Sequence, residues 1–360
     1  MLTIYERGQD GYEETLRSLS RRGDEDLARV EPDVRAILDA VRERGDEAVL
    51  EYTERFDARR PESLVLNRED WLREARAVDP AIRDALSAAG ERIRRYHEHQ
   101  REPGFRYEED GVGLGQRVRP VSAAAVYAPG GKARYPSTVL MTAIPATVAG
   151  VERIVLITPN PTAEILAAAE VAGVTEVVDA GGAQAIAAVA YGTESVARVD
   201  KVVGPGNIYV ACAKRLVFGA VDIDSIAGPS EILVIADEGA DPEVVAADLL
   251  SQAEHDEAAY PMLVTLSREQ ADAVDAALVR QLESLPRKAI ATEAVRDNGY
   301  CFVTGDLDEA ARAATILAAE HLSLSVADPE ALLPSIGAAG AIFLGYCTPE
   351  AAGDYAAGPS

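Results

Sequence analysis

Two of the four histidines in this 360-residue chain directly follow a glutamate where a predicted helix ends. These pairs are Glu254-His255 in SQAEHD and Glu320-His321 in AEHLSL. Imidazole changes its charge near neutral pH, and a neighbouring carboxylate suits it for proton transfer or metal binding. Because adjacent side chains point in different directions, Glu320 and His321 suit a division of labour between activating water and acting as a base. Chance adjacency is the alternative. The other two histidines lie in ERIRRYHEHQREP, which is typical of a solvated helix face.

A second group of residues suits metal binding. Gln252 and His255 are three positions apart on one predicted helix, so their side chains share a face and can reach one metal ion. An amide oxygen with an imidazole is an unusual but acceptable ligand pair for zinc. Asp354 in AAGDYAAG can add an anionic ligand from a loop. The alternatives are a hydrogen-bond network at a helix end for the first pair and a surface turn for Asp354.

Three glycine-rich turns suit the binding of a phosphate-containing ligand. They are APGGKARYP after a strand that ends at Tyr127, AGGAQ ending at Gln184, and GPGN ending at Asn207. Glycine lets a phosphate approach the backbone, and the three polar side chains can bind a ribose, an amide or an adenine edge. None of the turns is the dinucleotide fingerprint GxGxxG or the phosphate loop GxxxxGK[ST], so each alone also fits an ordinary turn.

The elements that position these residues follow an alternating pattern. Residues 1 to about 120 show apolar positions at helical spacing, and short apolar strands then alternate with helices. The predicted strands include EVVDAG, DKVVGPG, EILVIAD and MLVTLS, and the predicted helices include EILAAAEVAGV, GAQAIAAVAYG and NIYVACAKRLVFG. Asp241 and Pro242 mark a helix start, and Ser267 with Gln270 predicts a capping box. The pattern predicts an α/β fold with two doubly wound, parallel, Rossmann-like sheets.

The simplest domain organisation has residues 1–124 and 232–360 forming one discontinuous α/β domain that carries the candidate metal and acid–base residues. Residues 125–231 are then an inserted nucleotide-binding domain. In a doubly wound sheet, ligands bind beyond the carboxyl ends of the strands, where the three glycine-rich turns lie.

Composition narrows the class of protein. Sixty acidic and 35 basic residues give a net charge of −25, which repels nucleic acid and predicts a salt-adapted organism, with an ordinary acidic enzyme as the alternative. No apolar run reaches the length of a membrane span, and the N-terminus lacks the features of a signal peptide, so we expect a cytoplasmic protein without membrane partners. Three widely spaced cysteines indicate neither a disulfide framework nor a thiolate zinc site.

Several of these segments together resemble one enzyme family. The strings VYAPGGKARYPSTVLMTAIPA, GGAQAIAAVAYGTE, KVVGPGNIYVACAKR, DSIAGPSEILVIAD, SQAEHD, AEHLSL and AAGDYAAG occur in the order typical of L-histidinol dehydrogenases. The resemblance extends from about residue 30 to the end of the chain. It implies an aldehyde-dehydrogenase-like architecture and an NAD- and zinc-dependent enzyme of histidine biosynthesis, which oxidises L-histidinol through the aldehyde to L-histidine with two NAD.

The resemblance also implies roles for individual residues. By their positions in the matching motifs, Tyr127, Gln184 and Asn207 are expected to contact NAD; Ser230 to contact substrate; Gln252, His255 and Asp354 to bind zinc and substrate; and Glu320 and His321 to act as the acid–base pair, with His321 also touching substrate.

The resemblance implies a homodimer with shared active sites, whose C-terminal tail adds a histidine ligand to the partner's zinc. This chain ends at GDYAAGPS, so we expect that tail and its histidine to be absent, as in a fragment, an inactive protein or one with a substitute ligand. Two other functions stay open. One is an aldehyde dehydrogenase with Cys212 as nucleophile. The other is a catalytically impaired or non-catalytic nucleotide-binding homologue.

Overall fold

The chain folds into two compact units, each built on a parallel sheet. This computed structural model describes residues 1–22, 26–130, 135–226, 228–353 and 357–359. One unit comprises Met1–Asp24 and Gly228–Gly353, and the other comprises Glu25–Ala227 and Asp354–Ser360. We call them the six-stranded unit and the five-stranded unit after their sheets. The predicted α/β class with two parallel sheets is confirmed.

The strands and helices alternate through most of the chain. The strands are β1 (Thr3–Glu6), β2 (Phe105–Glu109), β3 (Val112–Gln116), β4 (Ala123–Tyr127), β5 (Arg153–Ile157), β6 (Glu176–Val178), β7 (Lys201–Val203), β8 (Asp222–Ile223), β9 (Glu231–Ala236), β10 (Tyr260–Thr265), β11 (Tyr300–Val303), β12 (His321–Ser325) and β13 (Ala341–Leu344). The helices are α1 (Tyr12–Leu19), α2 (Asp26–Arg44), α3 (Asp46–Asp57), α4 (Arg68–Arg76), α5 (Pro80–Glu98), α6 (Pro136–Ala149), α7 (Ala163–Ala172), α8 (Gly182–Tyr191), α9 (Ile208–Val217), α10 (Pro242–Ala253), α11 (Arg268–Leu282), α12 (Lys288–Asn298), α13 (Leu307–Leu317), α14 (Pro329–Leu332) and α15 (Glu350–Ala352), with a 3-10 turn at Leu333–Ser335.

The five-stranded sheet is covered by helices on both faces. Its strand order is β6-β5-β4-β7-β8, and every pair is parallel. Side chains alternate along β4, so Ala125 and Tyr127 pack with residues of α2, α3, α8 and α9, whereas Val126 packs with residues of α4 to α7. A parallel strand buried on both faces explains the uninterrupted apolar run AAAVY.

The six-stranded sheet has the same construction. Its order is β1-β11-β10-β9-β12-β13, again with parallel pairs throughout. Along β9, Ile232 and Val234 pack with α10, α11 and α12, and Leu233 and Ile235 pack with α1 and α13. The edge strand β1 comes from the N-terminus, which the sequence analysis had described only as helical.

The division into units corrects the predicted domain boundaries. Residues 25–124 were expected to join residues 232–360, but only the first 24 residues do so. The helices between them pack on the five-stranded sheet, because Val34 and Val49 share a core with Ala125, and Trp71 shares a core with Val139. The spacing of apolar residues showed that these helices are amphipathic, but it carried no information on which sheet they cover.

The β2–β3 hairpin and the burial of His97 were not expected from the sequence. The hairpin of β2 and β3 is exposed along its whole length and was not predicted. His97, expected on a solvated face, is buried at 8% exposure, and its Nδ1 lies 2.6 Å from Oε1 of Gln100. Within the described ranges, no helix combines the length and apolar character needed to cross a membrane.

Candidate functional site

In the five-stranded unit, the predicted nucleotide contacts lie where the strand order reverses. From β4 the chain proceeds to β5 and β6 on one side, and then crosses to β7 and β8 on the other. The crevice between the carboxyl ends of β4 and β7 is therefore a topological switch point, where doubly wound sheets bind ligands. Tyr127 ends β4, and Gly204 directly follows β7.

Tyr127 and the second glycine-rich turn are hydrogen-bonded to each other. The backbone N–H of Gly182 donates to the Tyr127 hydroxyl at 3.1 Å, and burial raises the pKa of Tyr127 above its usual value. Gln184, in the first turn of α8, is 1% exposed, and its Oε1 has no hydrogen-bond partner within the described part of the chain. A buried acceptor without a donor is costly unless a ligand or water satisfies it, so Gln184 suits an amide or amino group of a ligand.

The third turn brings Asn207 to the same edge of the sheet. Oδ1 of Asn207 accepts hydrogen bonds from the backbone N–H groups of Tyr209 at 3.1 Å and Val210 at 3.2 Å, and so caps α9. With this oxygen engaged, the Nδ2 group is the part of the side chain left to donate to a ligand. Of the first turn, residues 131–134 lie outside the described residues.

In the six-stranded unit, the candidate acid–base pair lies at the edge formed by the amino ends of the strands, not at their carboxyl ends. His321 begins β12 and pairs in register with Ile232 near the start of β9. Glu320, His321 and Ser230 therefore lie at the amino ends of their strands, between β9 and β12. The α10 helix returns from the carboxyl end of β9 to the amino end of β10, so Gln252, in its last turn, lies along the same edge.

Oxygen atoms lie near both nitrogens of the His321 ring. Its Nδ1 lies 3.0 Å from the backbone oxygen of Glu231, which can only accept, so Nδ1 carries the proton in the neutral ring. Nε2 is then the basic atom, and it lies 3.9 Å from Oε1 of Glu350. The His321 side chain is 12% exposed, whereas the Glu320 side chain is 56% exposed, with its Oε2 3.7 Å from His321 Nδ1. The pair therefore combines a shielded base with a solvent-accessible carboxylate.

An ion pair that the sequence analysis missed holds this arrangement. Arg22 donates through Nε to Oε1 of Glu231 at 2.6 Å, and both side chains are largely buried. The other carboxylate oxygen of Glu231 accepts the backbone N–H of Glu320 at 3.2 Å. Glu231 stands directly after Ser230 in AGPSE, which was a usable signal, but nothing local indicated Arg22.

A second missed group is a buried acidic cluster behind His321. Glu350 is 1% exposed, and its Oε2 accepts from the Ser251 hydroxyl at 2.6 Å. Its backbone N–H donates to Oδ1 of Asp248 at 2.9 Å. Burial raises the pKa of Asp248, while the hydrogen bonds from Glu350 and Ser323 and the proximity of His321 act in the opposite direction. The cluster places a second carboxylate beside the base.

The expected metal ligands are only partly described. Helix α10 ends at Ala253 with Glu254 as its C-cap, so Gln252 and His255 do not share one helix as predicted. A turn joins them, in which the His255 N–H donates to the backbone oxygen of Gln252 at 3.1 Å. Gln252 is 1% exposed, and its Nε2 lacks a hydrogen-bond partner among the described residues. Asp354 lies outside those residues.

The described part of the chain contains no group of three or more His, Cys, Asp and Glu arranged to hold a metal ion. Gln252 is an amide and so is not one of these four residue types, and Asp354 lies outside the described residues. A metal ion would bind Oε1 of Gln252, whereas the atom without a partner is Nε2, a donor that suits an acceptor on a ligand. An amide oxygen with an imidazole is a donor set that zinc accepts. Ser230 lies at the same edge, where its backbone oxygen pairs with the Tyr260 N–H at 2.9 Å.

Cys212 does not have the surroundings of a nucleophile. It lies in the middle of α9 and is fully buried among apolar side chains. Burial raises the pKa of its thiol, so the reactive thiolate is disfavoured at neutral pH. The thioester alternative therefore lacks an activated cysteine at this position.

The chain is similar to known proteins over nearly all of its length. The family model described as histidinol dehydrogenase matches residues 20–360. A histidinol dehydrogenase from Aquifex aeolicus is 52% identical over 349 residues, covering 96% of this chain and 82% of that protein. One from Pseudomonas savastanoi pv. phaseolicola is 53% identical over 332 residues, covering 90% and 74% respectively. The crystal structure of histidinol dehydrogenase from Elizabethkingia anophelis has a TM-score of 0.91 at 35% identity, covering 99% of this chain and 83% of that one.

Proposed function

The chain belongs to the histidinol dehydrogenase family, and from this premise we propose that it oxidises L-histidinol through L-histidinal to L-histidine with NAD and zinc. As a member of this family it is an oxidoreductase of histidine biosynthesis. The observation that carries the proposal is the setting of His321, whose Nδ1 is held by a carbonyl oxygen and whose Nε2 faces a buried carboxylate. Such a setting suits a base that takes and returns protons.

The geometry of the five-stranded unit supports NAD as the cofactor. Tyr127, the turn before Gln184 and the turn ending at Asn207 lie at the carboxyl edge of the sheet, around its switch point. The buried Gln184 oxygen suits a donor on the cofactor, and the Asn207 Nδ2 group suits an acceptor. Bound NAD would accept the hydride from the reacting carbon in each oxidation.

The candidate zinc ligands are Gln252, His255 and Asp354. Gln252 would bind through its amide oxygen, which belongs to a side chain buried at the end of α10, and the turn after this helix brings in His255 three residues further along the chain. Bound zinc would hold the substrate's amine and imidazole and so orient the alcohol carbon. Ser230, at the same edge of the sheet, is the proposed further contact with substrate.

In the first oxidation, Nε2 of His321 takes the hydroxyl proton of histidinol while the carbon loses a hydride, which leaves the aldehyde. The Glu350 carboxylate at 3.9 Å stabilises the imidazolium that forms. Nδ1 keeps its proton throughout, because the backbone oxygen of Glu231 at 3.0 Å holds it. The proton on Nε2 then passes to solvent, and the ring is ready for the second oxidation.

In the second oxidation, Glu320 removes a proton from water as the water adds to the aldehyde carbon, and the protonated Glu320 then gives a proton to the former aldehyde oxygen, which completes the hydrate. The 56% exposure of the Glu320 side chain supports this role, because the carboxylate must meet solvent water. His321 then takes a hydroxyl proton from the hydrate while the carbon loses a second hydride, which leaves the carboxylic acid.

Two substitutions test this division of labour. We expect His321→Asn to abolish both oxidations, and Glu320→Gln to slow histidinal oxidation more than histidinol oxidation, because only the second step consumes water. His99→Asn, an exposed histidine of the five-stranded unit, is the matched control. Wild-type rates with both substrates in His321→Asn and Glu320→Gln would exclude the proposed mechanism.

A non-catalytic nucleotide-binding homologue is the less favoured function, because the chain retains a base, a water-accessible carboxylate and their supporting ion pair in one arrangement. We also propose a cytoplasmic homodimer without nucleic-acid or membrane partners, as the family resemblance implies. Sedimentation of the purified protein in molar KCl tests the dimer.

A further inference from the structure

A deeply buried charge of the five-stranded unit lies directly beneath the third glycine-rich turn. Lys214, one of only four lysines in the chain, lies in α9 with a side chain that is 2% exposed. Lysine is almost never buried unless its charge is paired. Its Nζ forms an ion pair with Oδ1 of Asp224 and donates to the backbone oxygen of Gly204 at 2.8 Å.

The same ion pair holds both backbone polar groups of Gly204. Lys214 binds its C=O, and Oδ2 of Asp224 accepts its N–H at 2.7 Å. Gly204 has φ +111°, and a Cβ at this position would lie 2.3 Å from the backbone oxygen of Tyr127. The pair therefore fixes the residue that begins the turn and keeps it against the end of β4.

We propose that Lys214 and Asp224 are positioning residues of the dinucleotide site. They hold the turn from Gly204 to Asn207 in the conformation that admits NAD beside Tyr127 and the N-terminus of α9. The inference rests on the proposed function. Neither side chain needs to touch the cofactor, because each acts through the backbone of Gly204.

A buried ion pair is a weak source of stability, since the loss of hydration offsets much of the attraction between the charges. Its effect here is on geometry. Asp224 follows β8, and Lys214 lies two helical turns beyond Asn207 on α9, so the pair links the edge strand, the turn and the helix at one point. Releasing Gly204 would let the turn relax, and the cost would appear when NAD binds.

The test is calorimetric titration of NAD⁺ into four proteins: the wild type, Lys214→Met, Asp224→Asn and Arg215→Met. Arg215 is the matched control, because it neighbours Lys214 on α9 and pairs with Glu31 rather than with the turn. We expect the Kd for NAD⁺ to rise about tenfold or more in Lys214→Met and Asp224→Asn, which corresponds to about 1.4 kcal/mol, and to stay unchanged in Arg215→Met. The KM for histidinol at saturating NAD should change less than about twofold in every variant, as expected when only cofactor binding is affected.

Each result decides a separate point. If the wild type does not bind NAD⁺, the proposed function fails. If the wild type binds and both Lys214→Met and Asp224→Asn bind as tightly as Arg215→Met, the positioning role is wrong while the function stands. If Lys214→Met does not fold, as judged by its melting curve, Asp224→Asn decides, because the Asp224 side chain is 34% exposed and the variant removes only the charge that holds Lys214 against Gly204.

Discussion

At the scale of single residues, the proposed base is defined by what each ring nitrogen faces. The Glu231 oxygen at 3.0 Å assigns the proton to Nδ1 of His321, and Glu350 lies 3.9 Å from Nε2. His321 was identifiable from the sequence because histidine is scarce and follows a glutamate. Glu350 was not, because it meets Asp248 across 102 residues of chain and no local pattern marks it.

Replacing Glu350 tests whether the buried carboxylate assists the base. We expect Glu350→Gln to lower kcat for histidinol about ten- to a hundredfold with little change in KM, because the imidazolium loses its counter-charge while glutamine still accepts from Ser251. Steady-state kinetics measure this, with the exposed Glu283→Gln of the same unit as control. An unchanged kcat in Glu350→Gln would remove Glu350 from the mechanism.

Cys212 provides the complementary test. We expect Cys212→Ala to retain wild-type kcat for histidinol and for histidinal, because the buried thiol has a raised pKa and stays protonated at neutral pH. Its cost should be confined to stability, since removing a buried sulfur from α9 leaves a small cavity. Loss of histidinal oxidation in a variant with a normal melting curve would revive the thioester alternative.

At the scale of elements, the two sheets present their candidate residues at opposite kinds of edge. The predicted nucleotide contacts follow the carboxyl ends of β4 and β7, as the general rule for doubly wound sheets requires. The candidate acid–base residues instead lie between the amino ends of β9 and β12. The glycine-rich turns after β4 and β7 lie at the edge that this rule predicts. The short strand β12 was not recognised in the sequence, so the edge at which His321 lies was not predicted.

Local signals predicted the helices and strands well from residue 123 to about 283. Asp241 caps α10 through the Glu243 N–H, and Pro242 is its first residue, as predicted. The capping box at α11 is only half formed: Ser267 accepts the Gln270 N–H at 3.2 Å, but the Gln270 side chain donates to the Ala240 oxygen at 2.8 Å. Helix caps depend on residues close in the chain and can be predicted from the sequence, whereas a side chain's contact with another element cannot.

The turn after β7 offers a test at this scale. We expect Gly204→Ala to lower the melting temperature more than Gly219→Ala and also to weaken NAD binding. Both glycines have positive φ, +111° and +98°, so each alanine should cost about 1–2 kcal/mol of backbone strain. Only at Gly204 would the added Cβ also meet another backbone atom, the Tyr127 oxygen at 2.3 Å. Equal losses of stability in the two variants would show that the close approach to Tyr127 is unimportant.

At the scale of the whole molecule, the division into units depends on contacts that composition does not reveal. The amphipathic helices before residue 123 were predicted, but they were assigned to the domain of residues 232–360 only because that was the simplest arrangement. The structure places α2 to α5 on the five-stranded sheet, with Val34 and Ala125 in one shared core, whereas α1 packs on the six-stranded sheet. The spacing of apolar residues identifies the buried face of a helix. Which sheet that face packs on can be seen only in the folded structure.

The net charge of −25 gives a prediction for the whole chain. We expect the melting temperature to rise steadily as KCl increases to molar concentration, because salt screens the mutual repulsion of the surface carboxylates. Measurements in NaCl at the same ionic strength separate screening from a specific effect of potassium. A melting temperature that does not rise with either salt would contradict salt adaptation and favour an ordinary acidic enzyme.

The yield of NADH per L-histidinol consumed tests directly whether the chain carries out both oxidations, from the alcohol to the carboxylate. The chain is incubated with limiting histidinol and excess NAD and zinc in molar KCl, and NADH is measured at completion. We expect two NADH per histidinol, because conversion of an alcohol to a carboxylate releases four electrons and each NAD accepts two. A yield of one, with histidinal accumulating, or no NADH from a protein that still binds NAD, would contradict it.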